Sequence, residues 1–186
     1  MAPTVTLYHF TCEDHLSSIL NDGCLRTTES NLSRTRPHAG PDVAWFGTMP
    51  EMRPGGSFGL HDGTVSSGIV DPDNGRPYYW ADKTAIRITV ELPKREVQAW
   101  EPFVKKHGID AKYLEALRSI TPNWRRQRVI TRPVDNTEWI EVRHMHTGET
   151  FDWRDPEVLK AVTASDRFHP GAGDIMNGAE CIASVA

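Results

Sequence analysis

The stretch TVTLYHFT, residues Thr4–Thr11, decides the fold of this chain. Val5, Leu7 and His9 alternate with polar or aromatic residues, and this two-residue period predicts a β-strand with one apolar face. His9 ends the apolar row, and an inward-facing imidazole needs a hydrogen-bond partner. The pattern therefore predicts a first strand that carries a histidine to the edge of the core.

A short helix is predicted directly after this strand. Thr11 occupies the position of an N-cap residue, and Gly23 supplies a typical C-terminal stop. The apolar face between them consists of Leu16, Ile19 and Leu20. Because the first N–H groups of a helix attract negative charge, the sequence predicts that an anionic group such as a pyrophosphate lies beside His9.

The composition is that of one soluble domain. The chain has 186 residues, of which 38% are hydrophobic and 25% are charged. We predict a single domain over residues 1–168 and a loosely ordered tail over residues 169–186. The net charge of −4 gives no global reason to expect nucleic-acid binding. No apolar run reaches the ~20 residues of a membrane span. Three cysteines outside metal spacing predict a reduced, cytoplasmic protein.

Two further strands are predicted before the middle of the chain. Asp42–Thr48 contains the adjacent aromatics Trp45 and Phe46, which must point to opposite faces of a strand. Core packing is the favoured interpretation for both, and stacking on a flat ligand ring is the alternative. The stretch 84–92 alternates aliphatic and polar residues, which is typical of a sheet with one apolar face.

The remaining elements follow from local signals. Residues 49–79 are rich in glycine and proline and predict loops, with a short strand over residues 64–70. Helices are predicted over residues 94–107, where Pro102 either kinks the helix or starts a second turn, and from Asp110 to Ser119. A last short strand is predicted at Phe151–Trp153, and a helix from Pro156 to Ala164.

The stretch Thr137–His144 predicts a late strand. With a two-residue period, one face would carry Glu138, Ile140, Val142 and His144. Glu138 would then place a carboxylate at the start of an apolar row, just as His9 places an imidazole at the end of one. His144 and His146 share a face, but no third ligand is evident and we predict no metal site. The carboxylate is therefore the stronger candidate for chemistry.

The most basic stretch is Asn123–Arg132, whose arginines are Arg125, Arg126, Arg128 and Arg132. A solvated strand face or an ion-pair surface is the favoured interpretation. A strip for nucleic-acid phosphates is the alternative, and it would give binding a steep salt dependence. Under that alternative, the predicted contacts to the partner are Arg125, Arg126 and Arg128.

Three patches resemble the ADP-ribosyltransferase-like superfamily. Leu7–Thr11 and the helix closed by Gly23 are similar to its opening Tyr-His-hydrophobic-Thr strand and glycine-terminated helix. Val43–Thr48 is similar to its next aromatic strand, and Thr137–Trp139 to its late strand with the catalytic glutamate. The resemblance is nearest to the branch of DNA-modifying DarT toxins and related small phage and bacterial proteins.

The resemblance implies an α+β fold with two split sheets, an NAD cleft between them and short flanking helices. NAD would be a co-substrate. Glu138 would be the catalytic carboxylate, with Glu141 as the alternative. The residues expected to contact NAD are His9, Thr11, Tyr8, Trp45, Phe46 and Tyr79.

The activity implied is that of a toxin-like, NAD-dependent ADP-ribosyltransferase, a glycosyltransferase that releases nicotinamide and modifies a nucleic acid or protein. An antitoxin or a host target would be its partner, with no membrane involved. The chain lacks the Ser-Thr-Ser strand and the Gln-x-Glu turn that a protein-arginine acceptor would require. Two alternatives stay open: a non-enzymatic binding or inhibitor module on the same fold, and an enzyme similar to RNA 2′-phosphotransferases.

Overall fold

The computed structural model describes residues 2–27, 40–51, 66–70, 77–79, 81–120 and 123–164, with the backbone alone at 66–70, 77–79, 113, 116, 117 and 120. Its strands are β1 (Thr4–Thr11), β2 (Cys24–Leu25), β3 (Ala44–Gly47), β4 (Ser66–Val70), β5 (Pro77–Tyr79), β6 (Ile86–Pro93), β7 (Gln98–Ala99), β8 (Gln127–Ile130), β9 (Val134–Asp135) and β10 (Trp139–His144). Its α-helices are α1 (Leu16–Asp22), α2 (Trp100–Lys106), α3 (Ala111–Ile120) and α4 (Pro156–Ala164). The tail predicted over residues 169–186 lies outside the described residues.

The strands form one antiparallel six-stranded sheet in the order β10-β6-β1-β3-β8-β7. Two small pairs, β2 with β9 and β4 with β5, accompany it. Helices and antiparallel strands thus occur in one α+β arrangement, as the sequence predicts. The opening strand β1 lies inside the large sheet, between β6 and β3.

The first strand has the orientation that its sequence predicts. Leu7 pairs with Val90 and His9 pairs with Ile88 across the β1–β6 ladder. Directly opposed side chains lie on the same face of a sheet, so His9 continues the apolar row of Leu7. We call this the inner face, and the opposite one, which carries Tyr8 and Arg87, the outer face.

Two apolar cores lie on opposite sides of the sheet. On the inner face, α1 and α4 pack against β1, β6 and β10; fully buried members of this core include Leu7, Leu16, Phe46, Ile86, Ile88, Val90 and Leu92. On the other side, α2 and α3 pack against β3 and β8 through Val43, Trp100, Phe103, Val104, Ile109, Leu114 and Val129. The adjacent aromatics of β3 divide as predicted, because Phe46 belongs to the first core and Trp45 packs against the second.

Two helix starts differ from the prediction. β1 continues through Thr11, and a 3₁₀ turn at Glu13–His15 precedes α1, so Thr11 is not an N-cap. The stop is confirmed: Gly23 has a φ of 63° and its N–H donates to the carbonyls at the end of α1. The helix predicted from residue 94 begins at Trp100 instead, which places Pro102 in its first turn, where proline causes no kink.

The late strand also differs from the prediction. β10 begins at Trp139, and its register shifts between Trp139 and Glu141. One extra residue reverses which side chains point inward, so Trp139 is buried and Ile140 is 52% exposed. The prediction that Glu138, Ile140 and Val142 share one face of the strand is therefore wrong. Residues 151–153 form no strand; the Phe151 N–H donates one hydrogen bond to the Val142 carbonyl.

Candidate functional site

His9 is the best-defined polar group of the inner face. Its Nδ1 lies 3.0 Å from the backbone carbonyl oxygen of Trp45. A carbonyl accepts only, so Nδ1 carries the proton and Nε2 is left with a lone pair. The ring also meets Phe46 edge-on, with 5.9 Å between centroids. His9 is thus held as a neutral hydrogen-bond acceptor at the margin of the core.

The charge state of His9 follows from its surroundings. Burial lowers the pKa of His9, and the Lys83 ammonium lowers it further. Lys83 is held nearby, where its Nζ lies 3.4 Å from Sγ of the buried Cys12. A thiol sulfur is a weak acceptor, so the ammonium keeps donors for a negative group next to His9.

Polar side chains gather where β1 and β10 end, and we call Thr11, Glu13, His15 and His144 the strand-end cluster. Oγ1 of the buried Thr11 lies 3.3 Å from Nδ1 of His15. Nε2 of the buried His144 hydrogen-bonds to the carboxylate of Glu13. Nδ1 of His144 accepts two backbone N–H bonds, so Nε2 is the donor to Glu13. Sequence patterns gave no signal for Glu13 or Lys83.

The expectation of an anion at the start of α1 is not supported. The turn that precedes α1 carries Glu13 and Asp14, and both carboxylates would repel a pyrophosphate there. The structure instead places Lys83 at this end of β1, where its ammonium contacts the Cys12 thiol.

The predicted NAD contacts are divided between two faces. His9, Thr11 and Phe46 lie on the inner side, whereas Tyr8 lies on the outer face, beneath the guanidinium of Arg87. Trp45 packs on Trp100 in the second core, 4.5 Å between ring centroids, and Phe46 is 1% exposed. The side chain of Tyr79 lies outside the described residues. One ligand on one face therefore does not reach the whole predicted set.

Glu138 sits in a dense ion-pair network. Its two carboxylate oxygens each accept from Arg132 at 2.7 Å, and Arg132 also donates to Glu96. The Glu138 hydrogen bonds are the largest cause that raises the pKa of Arg132. Glu138 also completes a capping box with Asp135, around the 3₁₀ turn that precedes β10. The spacing Asp-x-x-Glu was visible in the sequence as a capping signal.

The structure does not bring Glu138 and His9 together. Trp139 pairs with Val90, which pairs with Leu7, whereas His9 lies two residues further along β1. Strand spacings put about 12 Å between the Cα atoms of Trp139 and His9. Glu138 precedes Trp139, and its carboxylate accepts hydrogen bonds from Arg132 and from the Asp135 N–H.

Part of the basic stretch is engaged within the protein. Arg128 donates to the carbonyls of Arg125 and Gln127, and burial lowers its pKa. The guanidinium of Arg125 lies 4.7 Å from the ring centroid of Trp124. Beside it is a pocket of about 80 Å³, lined by Ala99, Trp100, Glu101, Pro102, Trp124 and Arg125. Ion pairs in this stretch are formed by Arg132, with Glu96 and Glu138, whereas Arg125 and Arg126 are exposed. The ion-pair interpretation is therefore supported at Arg132.

Comparisons with protein-family models, with curated proteins and with solved structures found no match for this chain. Within the described ranges, no three histidine, cysteine, aspartate or glutamate side chains are placed to hold a metal ion. None of the helices in the same part of the chain is long and apolar enough to cross a membrane.

The lowered pKa of His9 predicts a pH dependence of stability. The unfolded histidine titrates near 6.5, above the folded value. Between these two pKa values the unfolded chain binds more protons, so the free energy of unfolding should fall as pH drops below about 6.5. His9→Gln should remove this pH dependence of the free energy of unfolding. The control His107→Gln, at an exposed histidine, should keep it. Urea unfolding from pH 7.5 to 5 measures both variants. If the free energy of unfolding of His9→Gln depends on pH as the wild type's does, His9 is not the cause.

Proposed function

We propose that the chain binds NAD at the His9 end of the inner face and uses it as an ADP-ribose donor, on a variant of the split ADP-ribosyltransferase fold. The observation that carries this proposal is the hydrogen bond between His9 and the Trp45 carbonyl. It fixes the neutral tautomer whose Nε2 can accept from a ribose hydroxyl. The resemblance of the opening strand and helix to that superfamily supports the same conclusion.

The chemistry suits the groups near His9. Breaking the bond from ribose to nicotinamide builds positive charge on the ribose, so a neutral imidazole disturbs the reaction less than a charged one. Lys83 offers an ammonium for the negative pyrophosphate. The hydroxyl of Thr11, next along the same face, is positioned with His15 to orient a ligand amide or hydroxyl.

The reaction needs a carboxylate beside the ribose, and Glu138 and Glu141 are the two candidates. For Glu138 to reach a ribose near His9, it must exchange its two bonds to Arg132 for the ligand. Glu141 is on the outer face, bound to Arg87, so it is less suited to a ligand beside His9. Glu138 therefore remains our candidate for the catalytic role.

Binding is tested first. NAD at 100 times its dissociation constant should stabilise the wild-type chain by about 2.7 kcal/mol. His9→Ala should remove most of that stabilisation, because the ribose loses its acceptor. A matched control is His107→Ala, since His107 is exposed on α2's C-terminal end. Thermal shift and calorimetry measure the effect, and equal NAD binding by the wild type and His9→Ala would exclude this site.

The transfer of ADP-ribose is tested separately, by nicotinamide release. In a lysate that supplies acceptors, nicotinamide release by Glu138→Gln should fall about 100-fold or more. Glutamine keeps an oxygen that accepts from the Asp135 N–H, so the capping box survives. Glu141→Gln is the matched control on the outer face. Loss of turnover in Glu141→Gln alone would move the catalytic role to that residue.

A second candidate is a binding module that holds NAD or a protein partner without turnover. It is favoured by one observation: both candidate carboxylates, Glu138 and Glu141, are bound by arginines. NAD-dependent stabilisation without nicotinamide release would support it. The RNA 2′-phosphotransferase alternative loses support, because Arg128 and Arg132 are engaged within the protein.

A further inference from the structure

A small pocket lies beside the start of α2, on a part of the surface that the proposed function does not use. Its volume is about 80 Å³, and the apolar residues that line it are Ala99, Trp100, Pro102 and Trp124. Trp100 belongs to the second core, whereas Pro102 is exposed and Trp124 is half-buried. The pocket therefore opens at the surface, on the side of the sheet away from the inner core. We call it the α2 pocket.

The surroundings of the α2 pocket are basic. Arg125 lines the pocket and Arg126 is next to it on the same 3₁₀ turn, and both residues are exposed. Residues 99–128, which form the pocket and the helices α2 and α3 beside it, contain seven lysines and arginines but three aspartates and glutamates. The whole chain has a net charge of −4. This segment is therefore a positive region of a negatively charged protein.

The carboxylate that lines the α2 pocket is balanced by other cations. Oε1 of Glu101 lies 3.1 Å from Nζ of Lys105 and 3.6 Å from Nη2 of Arg118. Glu101 is thus held by two cations that are not Arg125 or Arg126. The guanidiniums of Arg125 and Arg126 are consequently the groups that a negatively charged partner would meet at this pocket.

The size and the walls of the α2 pocket limit what can enter it. A cavity of about 150 Å³ holds a benzene ring. At about 80 Å³, the α2 pocket is too small to enclose a nucleic-acid base, but it accepts one aliphatic side chain. A base that stacked on Trp124 would compete with the guanidiniums of Arg118 and Arg125, which lie 4.5 Å and 4.7 Å from the ring centroid. These features favour a peptide over a nucleic acid.

We propose that the α2 pocket is a docking surface for an acidic segment of a partner protein. One aliphatic side chain of the segment enters the pocket, and carboxylates on either side of it bind Arg125 and Arg126. A guanidinium presents a fork of N–H donors that matches a carboxylate. A short segment meets only this positive region, whereas a long nucleic acid would also meet the negative remainder of the chain. Docking here does not depend on NAD binding at His9.

The test uses the full chain without NAD and two fluorescein-labelled peptides with blocked ends. The probe has the sequence Asp-Glu-Leu-Glu-Asp, and its control has serine in place of leucine. By fluorescence anisotropy at constant ionic strength, the leucine peptide should bind about tenfold or more tightly than the serine peptide, because leucine fills the pocket. The two peptides have the same charge, so this ratio measures the apolar contact. A single-stranded oligothymidylate, titrated in parallel, should bind more weakly than the leucine peptide.

Variants of the protein test the two arginines. The double variant Arg125→Gln with Arg126→Gln should weaken binding of the leucine peptide by about tenfold or more. The matched control is Lys94→Gln with Arg95→Gln, which removes two adjacent cations after β6 and should bind as the wild type does. All four residues are exposed, so both double variants should fold, and their melting temperatures check this.

Three results would overturn the proposal. The leucine peptide does not bind at about 1 mM protein, the serine peptide binds equally well, or the variant without Arg125 and Arg126 binds as the wild type does. Tighter binding of the oligothymidylate than of the leucine peptide, lost in the same variant, would assign the surface to nucleic acid and overturn the proposal as well.

Discussion

Replacement of Phe46 by alanine should lower the free energy of unfolding by about 3–5 kcal/mol. Phe46 is 1% exposed and belongs to the inner core, so its removal leaves a cavity that neighbours on a rigid sheet fill incompletely. The contact with the His9 ring is lost as well. Urea unfolding followed by tryptophan fluorescence measures the change.

The control for this prediction is Ile140→Ala on β10. Ile140 is 52% exposed, so the substitution should change stability by no more than about 0.5 kcal/mol. The comparison also tests the register shift in β10. If Ile140→Ala were to destabilise the protein by as much as Phe46→Ala, Ile140 would face the core and the observed register would be wrong.

Separation of the Arg87–Glu141 pair should give an asymmetric loss of stability. Glu141→Leu leaves the Arg87 charge, whose side chain is 12% exposed, without its carboxylate, and we expect a loss of about 2–4 kcal/mol. Arg87→Met leaves Glu141 at 31% exposure with Arg143 nearby, so the loss should be about 1 kcal/mol.

A double-mutant cycle checks this asymmetry. The double variant Arg87→Met with Glu141→Leu should be more stable than Glu141→Leu alone, because no buried charge is left unpaired. Arg95→Met serves as the control, since Arg95 is 79% exposed and its loss should have little effect. Arg87→Met being the more destabilising single variant would contradict the expected order.

Much of the architecture follows from periodicity. The alternation in residues 4–11 and 86–92 predicts which side chains of β1 and β6 point inward, because one buried face fixes strand register. The Gly23 stop and the helix from Pro156 follow from local capping chemistry. Such signals act over a few neighbouring residues, so a single sequence reveals them.

The candidate site is harder to predict from the sequence than the fold is. The two-residue period predicts that the Glu138 carboxylate points inward. In the structure, a single extra residue in β10 reverses the alternation. That bulge buries Trp139 against Trp153, and a period of two carries no information about such long-range packing. Lys83 and Glu13 reach the His9 end through the fold, so their positions depend on contacts that no local pattern encodes.

The strand order has a consequence for how the chain reaches its native state. β1 lies between two strands, and its long ladder joins residues 4–11 to residues 86–93. Pairing between such distant segments closes a large loop before it gains any contact, which slows folding. During synthesis, the aliphatic row that ends at His9 leaves the ribosome long before β6 exists. The nascent chain is therefore exposed to aggregation until residue 93 has emerged.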